Sequence, residues 1–200
     1  MKTSRIVLPS ILVFIALASF YITRGDEDIK KSLGIDEVNL NESEVAFNQM
    51  MDVLTHQRCM NCHPSDQKPK QGEDSHPHFF GIGRANVATA TNCNTCHQAS
   101  NNDFAGVPGA PDWSLAPHSM RWEGLTRTEI ATSMVDSLRN GGRSAEDIMH
   151  HLTEHELVLW AWEPGIDASG KPRELPTVSK DEYIEAVKTW IEHGAIIPKD

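Results

Sequence analysis

The chain predicts an all-α fold of short helices joined by long loops. Three observations predict it. Helix-start signals recur, each an Asn, Thr or Ser followed three residues later by Glu or Asp. No alternating apolar pattern persists long enough for a sheet. Two segments, 64–91 and 98–125, are rich in Pro, Gly, Asn and His and read as loops. Loops of that length need something to wrap, or they count against the fold.

The helices follow in order. Asn41-x-x-Glu44 resembles a capping box, and Phe47, Met50, Met51 and Leu54 come after it at helical spacing. Thr126-x-x-Glu129 starts a second helix, with Ile130, Met134 and Leu138 on one face and Asn140-Gly141-Gly142 as its stop. Ser144-x-x-Asp147 starts a short third helix. Thr153-x-x-Glu156 starts a fourth, carrying Leu157, Trp160 and Ala161 and ended by Pro164-Gly165. Ser179-x-x-Glu182 starts the last, with Tyr183, Val187, Trp190 and Ile191 inward and Gly194 beyond its end.

What the loops wrap is written in two boxes, Cys59-Met60-Asn61-Cys62-His63 and Cys93-Asn94-Thr95-Cys96-His97. Each reads C-x-x-C-H, the pattern for covalent attachment of a c-type haem. Two thiols three residues apart can each add to a vinyl group on one edge of the porphyrin. The following His then offers an imidazole nitrogen to the iron as proximal ligand. All four cysteines fall in these boxes. Two C-x-x-C pairs can also make a tetrahedral zinc site, but the gap between them is long for one, and zinc gives no reason for a His after both. A thioredoxin-like redox pair needs a βαβ pattern, which is absent. The fold class is therefore cytochrome c-like helices and long loops wrapped around two covalently bound haems.

The chain opens with Lys2 and Arg5, then an almost wholly apolar run from Ile6 to Ile22. That is the layout of a secretory signal. Phe20-Tyr21-Ile22 continue the run past the small-x-small site Ala16-Leu17-Ala18, so an uncleaved anchor is an equal expectation for residues 1–24. The basic end would stay in the cytoplasm and the rest face outward, which predicts a periplasmic protein, free or tethered to the inner membrane. Residues 25–42 are polar and charged and read as a linker, and 43–200 as the dihaem domain. The formal charge is −10; residues 1–24 hold Lys2, Arg5 and Arg24 and no acid, so the remainder carries −13. Such a surface excludes nucleic acid as a partner and suits redox partner proteins with basic docking patches.

Each iron has a sixth position. A filled site favours electron transfer and an open one permits catalysis. Candidates to fill it are Met120, in the irregular loop Ala116-Pro117-His118-Ser119-Met120, with His118 its rival; His76 and His78, stiffened by Pro77; and His56, one turn before the first box. His150, His151 and His155 read as a polar junction between helices. Trp113 and Trp122 are candidates to line a haem pocket. Arg58, Lys68, Lys70, Arg84, Arg121, Arg139 and Arg143 are candidates to pair with propionates.

Several runs carry a closer resemblance. Leu54-Thr55-His56-Gln57-Arg58-Cys59-Met60-Asn61-Cys62-His63-Pro64, His76-Pro77-His78, Leu115-Ala116-Pro117-His118-Ser119-Met120-Arg121-Trp122 and Trp160-Ala161-Trp162-Glu163-Pro164-Gly165 are similar to a family of small bacterial cytochromes. That family is often labelled as a subunit associated with isoquinoline 1-oxidoreductase, a molybdenum hydroxylase. The resemblance implies a non-enzymatic subunit that takes electrons from an exported dehydrogenase and passes them to a respiratory acceptor. The competing expectation is a dihaem enzyme of peroxidase type with one open iron, its acid–base group a nearby His or Glu.

Overall fold

The computed structural model describes residues 37–84 and 93–199. The reading of residues 1–24 as signal or anchor lies outside these. Among the described residues no helix is long and apolar enough to cross a membrane. The chain divides at Asn41, and Glu42–Asp200 forms one compact unit. Its elements are α1 (Glu37–Leu54), α2 (Gln57–Met60), α3 (Arg127–Val135), α4 (Ala145–Glu154), α5 (Glu156–Leu159) and α6 (Lys180–Glu192). One minimal antiparallel hairpin, β1 (Lys70–Gln71) with β2 (His76–Pro77), is the only sheet among the described residues. The class is all-α.

Three predicted starts form as capping boxes. Thr126, Ser144 and Ser179 accept from the backbone N–H of Glu129, Asp147 and Glu182, whose carboxylates reach back to the cap. Those hydrogen bonds hold all three carboxyls below their ordinary values of 4.5, 3.8 and 4.5. A carboxyl depressed by folding stabilises the fold above its unfolded value, and that contribution is lost as pH falls through the folded one. Helicity followed by circular dichroism should therefore begin to decline below about pH 4.5. Replacing Glu129 and Glu182 by Gln should flatten that decline; an unchanged acid limb would exclude the caps as its cause.

Other boundaries differ from the predicted ones. The first helix begins at Glu37, inside the segment read as linker, so Asn41 lies within it. The second ends at Val135. Leu138 falls beyond it and is exposed, because the chain turns at Asp136, where the backbone becomes extended. Thr153 does not start a helix. Its hydroxyl bonds back to the carbonyl of Met149 inside α4, and His155 caps α5 instead by accepting from the N–H of Leu157. Asn140 is more than a helix stop. It is buried, and its amide donates to the carbonyls of Met134 and Arg143.

The apolar positions meet in one core. Phe47, Met50, Met51 and Leu54 of α1 join Ile130 and Met134 of α3, Ile148 and Leu152 of α4, and Tyr183, Val187 and Trp190 of α6. Ile191, predicted inward, only packs on the edge of this cluster. The first box follows directly on α1, so Cys59 and Met60 also lie against the core.

Candidate functional site

Both boxes are single helical turns. In the first, α2 continues through His63, whose N–H donates to the carbonyl of Met60. In the second, Cys93–Thr95 form a 3-10 turn and the N–H of His97 donates to the carbonyl of Cys93. In the first box the turn brings both thiols and the imidazole to one cavity, as the spacing requires.

The two imidazoles are presented in the same way. The Nδ1 of His63 lies 2.7 Å from the carbonyl oxygen of Met120, and that of His97 lies 2.7 Å from the carbonyl oxygen of Pro108. A carbonyl only accepts, so each ring carries its proton on Nδ1 and leaves Nε2 for a metal. Each ring also stacks on a tryptophan. His63 lies 3.6 Å from Trp122 and His97 lies 4.6 Å from Trp113, centre to centre, with planes within 12° and 7° of parallel. Trp122 is itself held by α3, its Nε1 donating to the Ser133 hydroxyl. Glycine is required behind the second ring: a Cβ at Gly109 would collide with the carbonyls of Gln98 and Ser100. Gly109→Ala should therefore displace the adjacent Pro108 carbonyl and perturb the His97 site alone. A spectrum unchanged at both sites would contradict this.

The first box opens onto a cavity of about 280 Å³. Its wall contains Cys59, Cys62 and His63, apolar side chains from four segments including Leu54, Trp122, Ile148 and Leu152, and the cations Arg58 and Arg143. Burial pushes the thiol of Cys59 up to about 12 and that of Cys62 up to about 11. It pushes His63 down to about 4 against the opposing hydrogen bond to Met120. The cavity thus favours the uncharged forms of the thiols and imidazole of the box. Arg58 is engaged with Glu73 and with the carbonyl of Glu174. Arg143 is steadied by the Asn140 carbonyl, 2.7 Å away. Of the seven cations singled out from sequence, these two line the cavity.

The sixth-position candidates separate. His78 is brought to His97, ring centres 6.1 Å apart. The hairpin places it, since its N–H donates to the carbonyl of Pro69, and its Nδ1 lies 2.6 Å from the carbonyl of Phe79, again leaving Nε2. His76 instead holds Asp74 through Nδ1, and its Nε2 is buried without a partner. His118 is exposed, with Nε2 accepting from Arg121. His56 accepts from the N–H of Arg58 at Nδ1. Met120 is buried and lines the first cavity, but its carbonyl sits behind the imidazole of His63, on the side away from Nε2.

Two histidines that sequence reading placed in a helix junction, His151 and His155, also line this cavity. A helical signal marks them: Ile148, His151, Leu152 and His155 share one face of α4 and its continuation. His150 lies off that face and is exposed, 3.5 Å from Glu154. The two boxes are neighbours, since charge at Cys93 is felt at Cys62. Between the sites runs the segment around Trp113, whose neighbours Asp112 and Ser114 line the first cavity while Trp113 stacks on His97 and meets Trp160 edge-on at 4.9 Å.

Comparison with known proteins finds no matching family, no matching curated protein and no matching solved structure.

Proposed function

We propose that the chain is a c-type cytochrome holding two haems. The observation that carries the reading is the repeated site: two C-x-x-C-H turns, each with its imidazole proton on a backbone carbonyl and its ring stacked on a tryptophan. In this reading Cys59 and Cys62 tether one haem and Cys93 and Cys96 the other, with His63 and His97 as proximal ligands. The residues suit the group. Thioethers are uncharged and suit the partly buried positions of Cys59 and Cys62 in an apolar wall. Among the described residues no three His, Cys, Asp or Glu side chains gather around a common point, as one zinc site would require. Apolar walls match a porphyrin face, and Arg58 and Arg143 match its carboxylates.

More particularly, the protein is read as an exported carrier of single electrons, periplasmic or held at the membrane by its N-terminal segment. When bound, each haem supplies an iron that alternates between ferrous and ferric. The chain's own part is to hold that iron six-coordinate. The Met120 and Pro108 carbonyls fix the proximal tautomers and raise ligand basicity. His78 would be the second residue to hold the group bound by His97. The two rings lie 6.1 Å apart, centre to centre, edge-on with their planes at 64°, and each has its Nδ1 against a carbonyl. Trp113, stacked on His97 and flanked by Asp112 and Ser114 of the first cavity's wall, meets Trp160 edge-on. A donor of the molybdenum hydroxylase type is what the sequence resemblance implies, with a respiratory acceptor beyond it.

Mass spectrometry of the natively exported protein tests the reading. Two haem masses that survive denaturation are expected; zinc or unmodified thiols would overturn it. In the same preparation, carbon monoxide binding at neutral pH would favour an enzyme with an open iron.

A further inference from the structure

We propose that His151 of α4 is the second axial ligand of the first haem, so that both irons carry two imidazoles and neither carries a thioether. The proposal rests on the dihaem reading and names the residue that completes it.

Outside the box, four side chains with a sulfur or an imidazole nitrogen line the first cavity, Met120, Met134, His151 and His155, and of these Met134 is packed into the helical core from α3. Met120 is placed wrongly. Its carbonyl accepts the Nδ1 proton of His63, so its backbone stands at the back of the proximal ring. The thioether would have to pass the imidazole and then the porphyrin plane to reach the opposite face, further than a methionine side chain extends. His155 carries the wrong tautomer. Its Nδ1 accepts the N–H of Leu157 to cap α5, so its proton is on Nε2. Binding a metal there would require losing the ring's last proton or breaking the cap.

His151 has neither conflict. No hydrogen bond engages either of its nitrogens, and its one ring contact is His155, edge-on at 5.1 Å. It stands on a helix, between the core residues Ile148 and Leu152, so its position is rigid. It lines the same cavity as His63. Burial in the cavity wall, then the neighbouring His155 and Arg143, disfavour its protonated form and keep a lone pair available. A neutral imidazole in the wall of the same cavity as the box, with no hydrogen bond to it among the described residues, is what a second ligand needs before the metal arrives.

The consequence is functional. Methionine as an axial ligand raises a haem's potential relative to a second histidine. With His63/His151 on one iron and His97/His78 on the other, both haems belong to the low-potential class. The carrier then suits a strongly reducing donor. Two filled irons also leave no place for peroxide.

The test uses the full, natively exported holoprotein, with covalent haem counted by the alkaline pyridine spectrum. Fewer than two haems in the unaltered protein would overturn the dihaem reading itself. With two present, electron paramagnetic resonance and optical spectra of the ferric form should show only low-spin bis-imidazole haem and no sulfur-to-iron band. A sulfur-to-iron band lost in Met120→Leu would overturn the proposal. His151→Ala should retain two haems, turn one of them high-spin and let it bind carbon monoxide, while His155→Ala and Met120→Leu leave both low-spin. If His151→Ala does not accumulate, His151→Met decides: one haem should gain the sulfur-to-iron band and a higher midpoint potential. Both irons remaining low-spin bis-imidazole in either His151 variant would overturn the proposal.

Discussion

Removing the first pair of thiols should unfold much of the protein, whereas removing the second pair should not. On the proposed dihaem reading, Cys59→Ala/Cys62→Ala and Cys93→Ala/Cys96→Ala each delete one attachment site, so each variant should carry one haem mass in place of two. Their stabilities should differ because the sites sit differently in the fold. Leu54, Met120, Trp122, Met134, Ile148 and Leu152 belong both to the helical core and to the wall of the first cavity. If that cavity of about 280 Å³ lost its contents, a cost of about 24 cal/mol per Å³ gives an upper figure of about 7 kcal/mol. A domain's whole stability is about 5–15 kcal/mol. By contrast Cys96 is exposed and the second box stands on a 3-10 turn in a loop, held by Trp113 and the carbonyl of Pro108. Thermal melts followed by circular dichroism should show the first variant with a broad, early transition and the second close to the unaltered protein. Equal melts would mean that the first haem is not part of the core.

Trp190→Ala should be the most damaging single change away from both haems. Trp190 is fully buried, lies 6.4 Å from the ring of Phe47, and donates from Nε1 to the carbonyl of Ile196. It ties α6 to α1, and α1 delivers the first box. Large-to-small changes at such aromatic positions cost about 3–5 kcal/mol. Part of that is the lost indole hydrogen bond, which leaves the Ile196 carbonyl to find water. Trp190→Phe should recover most of the packing and lose the bond, costing about 1–2 kcal/mol. Chemical denaturation of the holoprotein measures both. An alanine variant as stable as the phenylalanine one would show that α6 does not brace the helix carrying the box.

Both predictions turn on where a site lies relative to the core, and this marks what sequence could reach. The two C-x-x-C-H turns and three of the helix starts were legible because each is a short-range pattern. Thr126 reaches Glu129, and Cys59 shares a turn with Cys62, within three or four residues. The start at Thr153 failed for an equally local reason: its hydroxyl had a better acceptor one turn back, and His155 took the cap.

The amino-acid sequence by itself determined an all-α chain with two C-x-x-C-H turns, because spacing of three and four residues is set by backbone geometry and survives any tertiary arrangement. Only the tertiary structure decided which imidazole faces which box. That choice depends on partners far along the chain, such as the Met120 carbonyl 57 residues from His63 and the Pro108 carbonyl 11 residues from His97. A carbonyl in the right place fixes a ring's tautomer, and the tautomer fixes which nitrogen is left for the metal. No periodicity records it.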